Sequence, residues 1–238
     1  MQLSVIVPCF NEEGNLDILV GRLRACFQEH GIDGEIVLVN DGSRDRTGEV
    51  VDELARRFQN VVPVHHAVNK GIVEGWRSGL KNASAPWVCT IDADLQYLPE
   101  DCARLYAEMQ RTGADLVQGW RRWHTSINWQ RYLLSKGFSG FLNALFRMRL
   151  RDIKSGFILY KREAFADVMN FRGPYHAFQH FPTIAARKKG YRIVQIPVVW
   201  NQRHAGQSFI QMPWRFALRS LRDLPRALDE FGGRPPRP

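Results

Sequence analysis

The 238-residue sequence predicts an α/β fold, a mainly parallel sheet covered by helices on both faces. Three observations predict it. Apolar runs alternate with stretches of helical periodicity, the connections between them are short, and each early apolar run ends in a polar cluster. Strands covered on both faces read as unbroken apolar runs, and a βαβ alternation builds a parallel sheet.

Leu3-Ser4-Val5-Ile6-Val7-Pro8 reads as a buried strand stopped by proline and a polar turn. Residues 12–30 put Leu16, Leu19, Val20, Leu23 and Phe27 on one helical stripe. Glu35-Ile36-Val37-Leu38-Val39 is a second strand, stopped by Asn40-Asp41-Gly42-Ser43. Thr47 begins a helix with Val50, Val51, Leu54 and Phe58 on its face, and Val61-Val62-Pro63-Val64 is a weaker third strand. A helix over 71–83 leads to Trp87-Val88-Cys89-Thr90-Ile91, a strand that ends at Asp92-Ala93-Asp94. Residues 99–111 then read as helix, 115–119 as strand and 128–147 as a helix rich in aromatic, leucine and basic residues. Residues 156–160 and 191–198 are strand-like, and no repeat or linker divides the chain. In open α/β sheets the ligand site lies outside the carboxyl ends of the strands. Residues 8–12, 40–43 and 92–96 should therefore converge on one crevice.

With 45% apolar residues the chain can build a sizeable core, and only the Gly- and Pro-rich tail from 231 to 238 reads as unable to pack. No apolar run reaches the roughly 18 residues of a spanning helix, and no signal peptide is expected ahead of the first strand. Cys9, Cys26, Cys89 and Cys102 lack metal-site spacing and read as reduced, buried thiols. The net charge of +9 hides an asymmetry. Residues 1–110 carry 10 Lys and Arg against 17 Asp and Glu, a net of −7, whereas 111–238 carry 23 against 7, a net of +16. An acidic half suits a cation; a basic half suits an anionic surface, a phosphate or a nucleic acid. No helix-turn-helix, zinc or RNA-binding signature accompanies the basic half, so no nucleic-acid partner is expected.

Asp92 and Asp94 lie two apart on a strand end and so share one side of the pleat. Two such carboxylates hold a divalent cation, for which oxygen ligands suit Mg2+ or Mn2+, or they cap the following turn. Gln96 adds an amide two residues on. Asn40-Asp41-Gly42-Ser43 offers a carboxylate, a glycine turn and a hydroxyl, either as a nucleoside platform or as a strand-to-helix turn.

Pro8-Cys9-Phe10-Asn11-Glu12-Glu13, residues 39–47, Asn69-Lys70-Gly71 with Gly79, and Asp92-Ala93-Asp94-Leu95-Gln96 with Pro99-Glu100 occur in order. Together they resemble glycosyltransferase family 2 with its Rossmann-like GT-A fold, and within it the polyprenyl-phosphate sugar transferases. The resemblance covers roughly residues 1–210. It implies a catalytic domain over 1–210, with a nucleotide-sugar half to 110, an acceptor half beyond, a basic amphipathic helix over 211–230 and a flexible tail.

Role by role, the resemblance implies that Pro8, Asn11, Glu12, Asp41 and Gly71 line the donor pocket. Asp92, Asp94 and Gln96 would hold the metal and the donor diphosphate. Gly119-Trp120-Arg121, Arg131 with Ser135, and Arg203 with Ser208 look like acceptor motifs that grip a lipid phosphate. Asp94, Arg121 and Arg131 would be the catalytic residues. The expected reaction is inverting hexose transfer from a UDP-sugar or GDP-mannose to a polyprenyl phosphate, with Mg2+ or Mn2+. A family 2 transferase acting on a glycan, protein or natural-product hydroxyl is the alternative. A phosphate acceptor, with its second pKa of about 6, needs no strong base; a hydroxyl acceptor does. The second half has seven acids, of which Asp152 is the best placed.

Several positions depart from the family pattern: Phe209 replaces a lysine, Phe181 and Gln195 replace acids, and Ile72 follows Gly71 where lysine is common. Arg215, Arg219, Arg222 and Arg226 share one face of a helix, with Trp214, Ala217, Leu218, Leu221, Leu224 and Leu228 on much of the other. That helix suits the cytoplasmic face of an anionic membrane, or it packs its leucines on the domain. The aromatic set Trp123, Trp129, Tyr132, Phe138, Phe141, Leu142, Leu145 and Phe146 suits a core or a lipid groove. A membrane-anchoring partner or a homo-oligomer stays open.

Overall fold

A computed structural model describes residues 1–122, 129–173, 175, 177–204 and 213–233, without the side chains of 129–135 and 213–219. The elements run β1 (Leu3–Cys9), α1 (Leu16–Glu29), β2 (Gly34–Asp41), α2 (Thr47–Arg57), β3 (Val61–His66), α3 (Ile72–Asn82), β4 (Trp87–Thr90) and α4 (Asp101–Thr112). They continue with β5 (Leu116–Arg122), α5 (Trp129–Leu145), β6 (Ile158–Lys161), α6 (Arg162–Met169), α7 (Pro182–Lys188), β7 (Ile193–Val199) and α8 (Pro213–Phe231). A 3-10 turn, Phe178–His180, precedes α7.

Among the described residues one sheet has the order β3-β2-β1-β4-β6-β5-β7. Strands β1 to β4 are parallel, as expected, and β5 pairs in parallel with β7. β6 runs antiparallel between β4 and β5. Burial follows position in the sheet. β2 is buried along its whole length, whereas β3, at the edge and carrying Pro63, alternates.

The pleat divides the core. Val5 and Val7 of β1 pack with α1, α2 and α4 on one face, while Ile6 packs with Trp76 of α3 and with α5 to α8 on the other. The sequence periodicity omits α6, the 3-10 turn and α7, elements of 8, 3 and 7 residues. They are too short for a period to show, yet they supply Phe165, Phe178, Phe181 and Ile184 to the second core. All four cysteines are free and buried, with the Cys89 and Cys102 sulfurs 3.9 Å apart.

On α8, Leu224, Ala227 and Phe231 face the core, while Leu221 and Leu228 are 42% and 37% exposed. The leucine stripe read from the sequence is thus split between domain and solvent. Trp214, Arg215, Ala217, Leu218 and Arg219 lie among the side chains outside the described set, as do Trp129 and Tyr132 on α5; Trp123 and Phe209 are also outside. Phe146 and Leu142 of α5 are buried and Phe141 is 46% exposed. Among the described residues no helix is long and apolar enough to cross a membrane.

Two stability tests follow. A Cβ at Gly79 would run into the Ile6 side chain, so α3 rests on β1 through a missing methyl. Alanine would recover up to about 1 kcal/mol of helix propensity but overpack the contact by about 1–3 kcal/mol. Gly79→Ala should therefore lower the denaturant midpoint. His180 bonds the Ser220 hydroxyl at 2.6 Å, and burial, then the charges of Lys154 and Arg121, pushes its imidazole down to about 3. The unfolded chain takes up that proton first, so stability is intact above the ordinary histidine value and falls as pH drops toward 3. The slope should approach about 1.4 kcal/mol per pH unit. His180→Asn should flatten it in melts at pH 7, 6 and 5.

Candidate active site

The carboxyl ends of β1, β2, β3 and β4 come together as the sequence predicts: Cys9 pairs with Asn40, Asn40 with His65 and Asp41 with His66. Two loops are laced across this end. Asn11, in the left-handed region at φ 57°, donates its N–H to Ser43 Oγ and accepts the Arg44 N–H on Oδ1. The Glu12 N–H donates to Thr47 Oγ1 at 2.8 Å. Asp45 accepts the Thr47 N–H at the start of α2, satisfying a donor the helix leaves open.

Asp41 is buried and engaged by its own chain. Its carboxylate accepts the Lys70 and Gly71 N–H groups at 2.8 Å each and meets His66 Nδ1 at 2.7 Å. His66 Nε2 reaches Ser78 Oγ at 2.8 Å. These bonds fix the turn at Gly71, whose φ of 88° suits glycine, and so the entry to α3. Pro8 lies beneath that helix, 3.0 Å from where a Gly75 Cβ would stand.

Asp92 and Asp94 follow β4. Burial, then the Asp94 charge, lifts the Asp92 carboxyl to about 7, with Arg121 and Arg203 pulling the other way. Burial also raises Asp94, against Arg203. Leu95 is left-handed at φ 60°, a conformation that costs an L-residue about 1–2 kcal/mol; its side chain is buried in the first core. The turn lets the Gln96 N–H donate to Asp94 Oδ1 at 3.1 Å. The Gln96 amide donates to the Asn201 carbonyl, Asn201 N–H donates back to Gln96, and Tyr97 bridges Trp200. The strand-end carboxylates are thereby tied to the segment after β7.

That segment carries Arg203. Its guanidinium reaches Glu12 Oε1 and Asp94 Oδ2, both at 2.8 Å. Arg203, expected on the acceptor side, spans the strand-end carboxylates Glu12, after β1, and Asp94, after β4. Arg121, on β5, makes a two-pronged pair with Asp152 at 2.7 and 3.0 Å. Their side chains are 15% and 9% exposed. Burial works against the Asp152 charge, but Arg121 and the Lys154 N–H hold the carboxyl below its ordinary range. A carboxylate so held is a poor base. Arg131 and Ser135 lie on α5 where side chains are outside the described set, and Ser208 is outside the described residues.

The partners of these residues were invisible in the sequence. Gln195 donates to Gln118 Oε1 and to the Asp152 carbonyl and accepts the Arg151 N–H. Gln118 in turn donates to the Ser155 carbonyl and Thr183. Tyr97 Oη and Ser155 Oγ are 3.1 Å apart.

Comparison with known proteins bears on this arrangement. Residues 4–169 match the model of glycosyl transferase family 2. The polyprenol monophosphomannose synthase of Mycolicibacterium smegmatis is 33% identical over 86% of this chain and 79% of its own length. A dolichol-phosphate mannosyltransferase of Pyrococcus furiosus is also 33% identical, over 87% of this chain, which spans only 59% of that longer protein. Among solved structures, a mannosyltransferase from Pyrobaculum calidifontis in complex with GDP-Man and Mn2+ superimposes with a TM-score of 0.72 at 18% identity. That superposition takes in 99% of this chain and 66% of the other.

Removing the Asp152 charge should expose how much the site leans on it. Asp152→Asn takes from the half-buried Arg121 its two-pronged partner, a loss of about 3–5 kcal/mol. The wild-type contribution is present above the ordinary carboxylate value and lost as pH falls below it. Chemical denaturation at pH 7 should show the full loss; a midpoint equal to wild type would mean the pair contributes nothing.

Proposed function

The chain belongs to glycosyltransferase family 2, and from that premise we propose that it moves a hexose from a UDP-sugar or GDP-mannose to a polyprenyl phosphate, with inversion. The carrying observation is the pair of strand-end carboxylates, half-buried Asp92 and buried Asp94, set against the charges of Arg121 and Arg203. The polyprenol and dolichol phosphate named for the two relatives support the acceptor, and the GDP-Man of the solved neighbour supports the donor.

The residues fit a divalent cation. Asp92 and Asp94 offer hard oxygen donors, and the raised Asp92 value marks a charge that such an ion would relieve. Among the described residues no three His, Cys, Asp or Glu could hold a metal by themselves, so donor oxygens would complete the shell. An ion held there, Mg2+ or Mn2+, supplies positive charge to the diphosphate as it leaves.

The chain's own residues do the rest. Loops 10–13 and 43–47, laced together, and the Gly71 turn held by Asp41 would frame the nucleotide. Gln96 and Arg203 would fix the strand-end carboxylates against it. Arg121, with Arg131, Ser135 and Ser208, would orient the acceptor phosphate, which arrives already ionised. Catalysis would then come from positioning and charge rather than proton removal. The exposed Leu221, Leu228, Arg222 and Arg226 of α8 suit peripheral contact with an anionic bilayer.

The test is a transfer assay with Mg2+ or Mn2+, UDP- and GDP-sugars and a short-chain polyprenyl phosphate. Wild type should form a glycolipid, and Asp94→Asn should slow it about a hundredfold or more. Donor cleavage without glycolipid would discard the lipid acceptor and favour a hydroxyl one. Full activity in Asp94→Asn would sink the metal assignment.

A further inference from the structure

Behind Asp41 runs a chain of side chains that the transfer reading leaves unused. Asp41 ends β2, and His66 ends β3 in register with it. His66 Nδ1 lies 2.7 Å from Asp41 Oδ1, and His66 Nε2 lies 2.8 Å from Ser78 Oγ on α3. A carboxylate only accepts hydrogen bonds, so Nδ1 carries a proton and donates it to Oδ1. In the neutral ring Nε2 then accepts the Ser78 hydroxyl, and that bond sets the tautomer that Asp41 needs. The His66 and Asp41 side chains are each 5% exposed, so little water competes for these bonds.

The two oxygens of Asp41 are used unequally. Oδ1 takes two donors, the Lys70 N–H and His66 Nδ1. Oδ2 takes one, the Gly71 N–H. A carboxylate offers roughly four acceptor positions, two on each oxygen. Among the described residues Oδ1 is thus filled and Oδ2 keeps one position open. The segment that brings these donors is held in place. Gly42 is left-handed at φ 67°, and a Cβ there would run into the backbone of Val68 and Asn69. His65, the preceding residue, is exposed and reaches Asn40 and Asp52 instead. Successive strand residues face opposite ways, so only His66 of the two addresses Asp41.

We propose that His66, held by Ser78, is a positioning residue for the nucleoside of the donor. By filling Oδ1 it fixes the plane of the Asp41 carboxylate and leaves Oδ2 to accept one N–H or O–H from the nucleoside. The inference deepens the proposed transfer reading and rests on it for the presence of a nucleoside. Without the His66 bond the carboxylate can turn about its last torsion, which has broad minima, and its open position is no longer aimed. None of these side-chain bonds reaches Arg121 or Asp152. The effect should therefore fall on donor binding and leave acceptor binding alone.

The full-length protein tests this by direct nucleotide binding with Mn2+ and without acceptor. Two substitutions divide the bonds of the ring. His66→Asn keeps a donor where Nδ1 stands and loses the reach to Ser78. His66→Gln places its amide where Nε2 stands and gives up the donor to Asp41. His66→Gln should bind GDP and UDP about tenfold or more weakly, and His66→Asn should recover most of the affinity. In the transfer assay His66→Gln should raise the donor KM, with kcat and the acceptor KM unchanged. Equal affinity in His66→Gln, equal losses in the two variants, or losses that follow the melting midpoints each overturn the proposal. If His66→Gln does not fold, Ser78→Ala takes its place: the ring loses the hydroxyl that sets its tautomer, and affinity should fall about threefold or more. Unchanged affinity there overturns it as well.

CDP, which has no ring N–H, and a 2′,3′-dideoxy nucleotide, which lacks the ribose hydroxyls, identify the group that Oδ2 accepts. The His66 dependence should vanish with whichever is missing; dependence retained by both removes the Oδ2 contact and the proposal with it. The two readings fail separately. His66-dependent nucleotide binding with no glycolipid from any donor removes the transfer reading and keeps the site. Glycolipid formation with His66-independent donor binding does the reverse.

Discussion

Negative charge held out of water at the end of β4 is the constraint that the rest of the site answers. Asp92 is lifted to about 7 by burial and by Asp94, and Glu12 from the β1 end is raised by burial as well. Buried charges are tolerated when paired and hydrogen-bonded, and are costly otherwise. The pairing comes from far along the chain. Arg203 reaches Glu12 across 191 residues and Asp94 at the same time. Arg121 acts on Asp92 from β5. The acidic first half and basic second half seen in the composition are thus, at this crevice, two sides of one electrostatic contact. This also explains why the charge boundary near residue 110 is not a domain boundary in the sheet: β5, β6 and β7 extend the same sheet that β1 begins.

How much of this the sequence revealed depends on range. Strands such as β1 and β2 and the stripe of α1 were legible because period and burial are local properties. The convergence of Pro8, Asp41 and Asp92 was legible because parallel α/β topology sends strand ends to one side. The reversed direction of β6 was not, since an apolar run reads the same either way. The pairing of Arg203 with Glu12 and Asp94 was not legible, because a motif gives a residue type and order, not its partner. The same limit applies to Asp41, whose buried carboxylate is engaged with the backbone at 70 and 71 and with His66. On α8 the helical wheel grouped Leu221, Leu224 and Leu228 together. Only packing distinguishes Leu224, 8% exposed, from its exposed neighbours.

Departures from the family pattern become intelligible from the same packing. Phe181 is fully buried in the second core beside Tyr175, a place where an unpaired acid would be costly. Gln195 must accept from the Arg151 N–H while donating to the Asp152 carbonyl and to Gln118. A carboxylate only accepts, so an ionised acid at 195 would leave two acceptors facing it. The amide keeps this network neutral and leaves Asp152 as the counter-charge of Arg121. Gln195 therefore changes what supports Asp152, not whether Asp152 holds Arg121.

Why Arg121 should be held so firmly follows from the charges the proposed reaction brings together. A phosphate-monoester nucleophile and a departing diphosphate are both anions, and they must approach within a bond length of the same carbon. At an effective dielectric of about 20, each pair of unit charges about 6 Å apart repels by nearly 3 kcal/mol. Several such pairs would raise the barrier by more than positioning alone could offset. Positive charge between the two anions is then a requirement of the chemistry. The Arg121 charge bears on both Asp92 and Lys154. A guanidinium remains charged at any working pH, and Asp152 fixes its fork with two bonds. The pair with Asp152 removes that carboxylate from use as a base, and in the proposed reaction it would hold a cation for the arriving and departing phosphates. A hydroxyl acceptor would need the base; an acceptor that brings its own negative charge needs the cation.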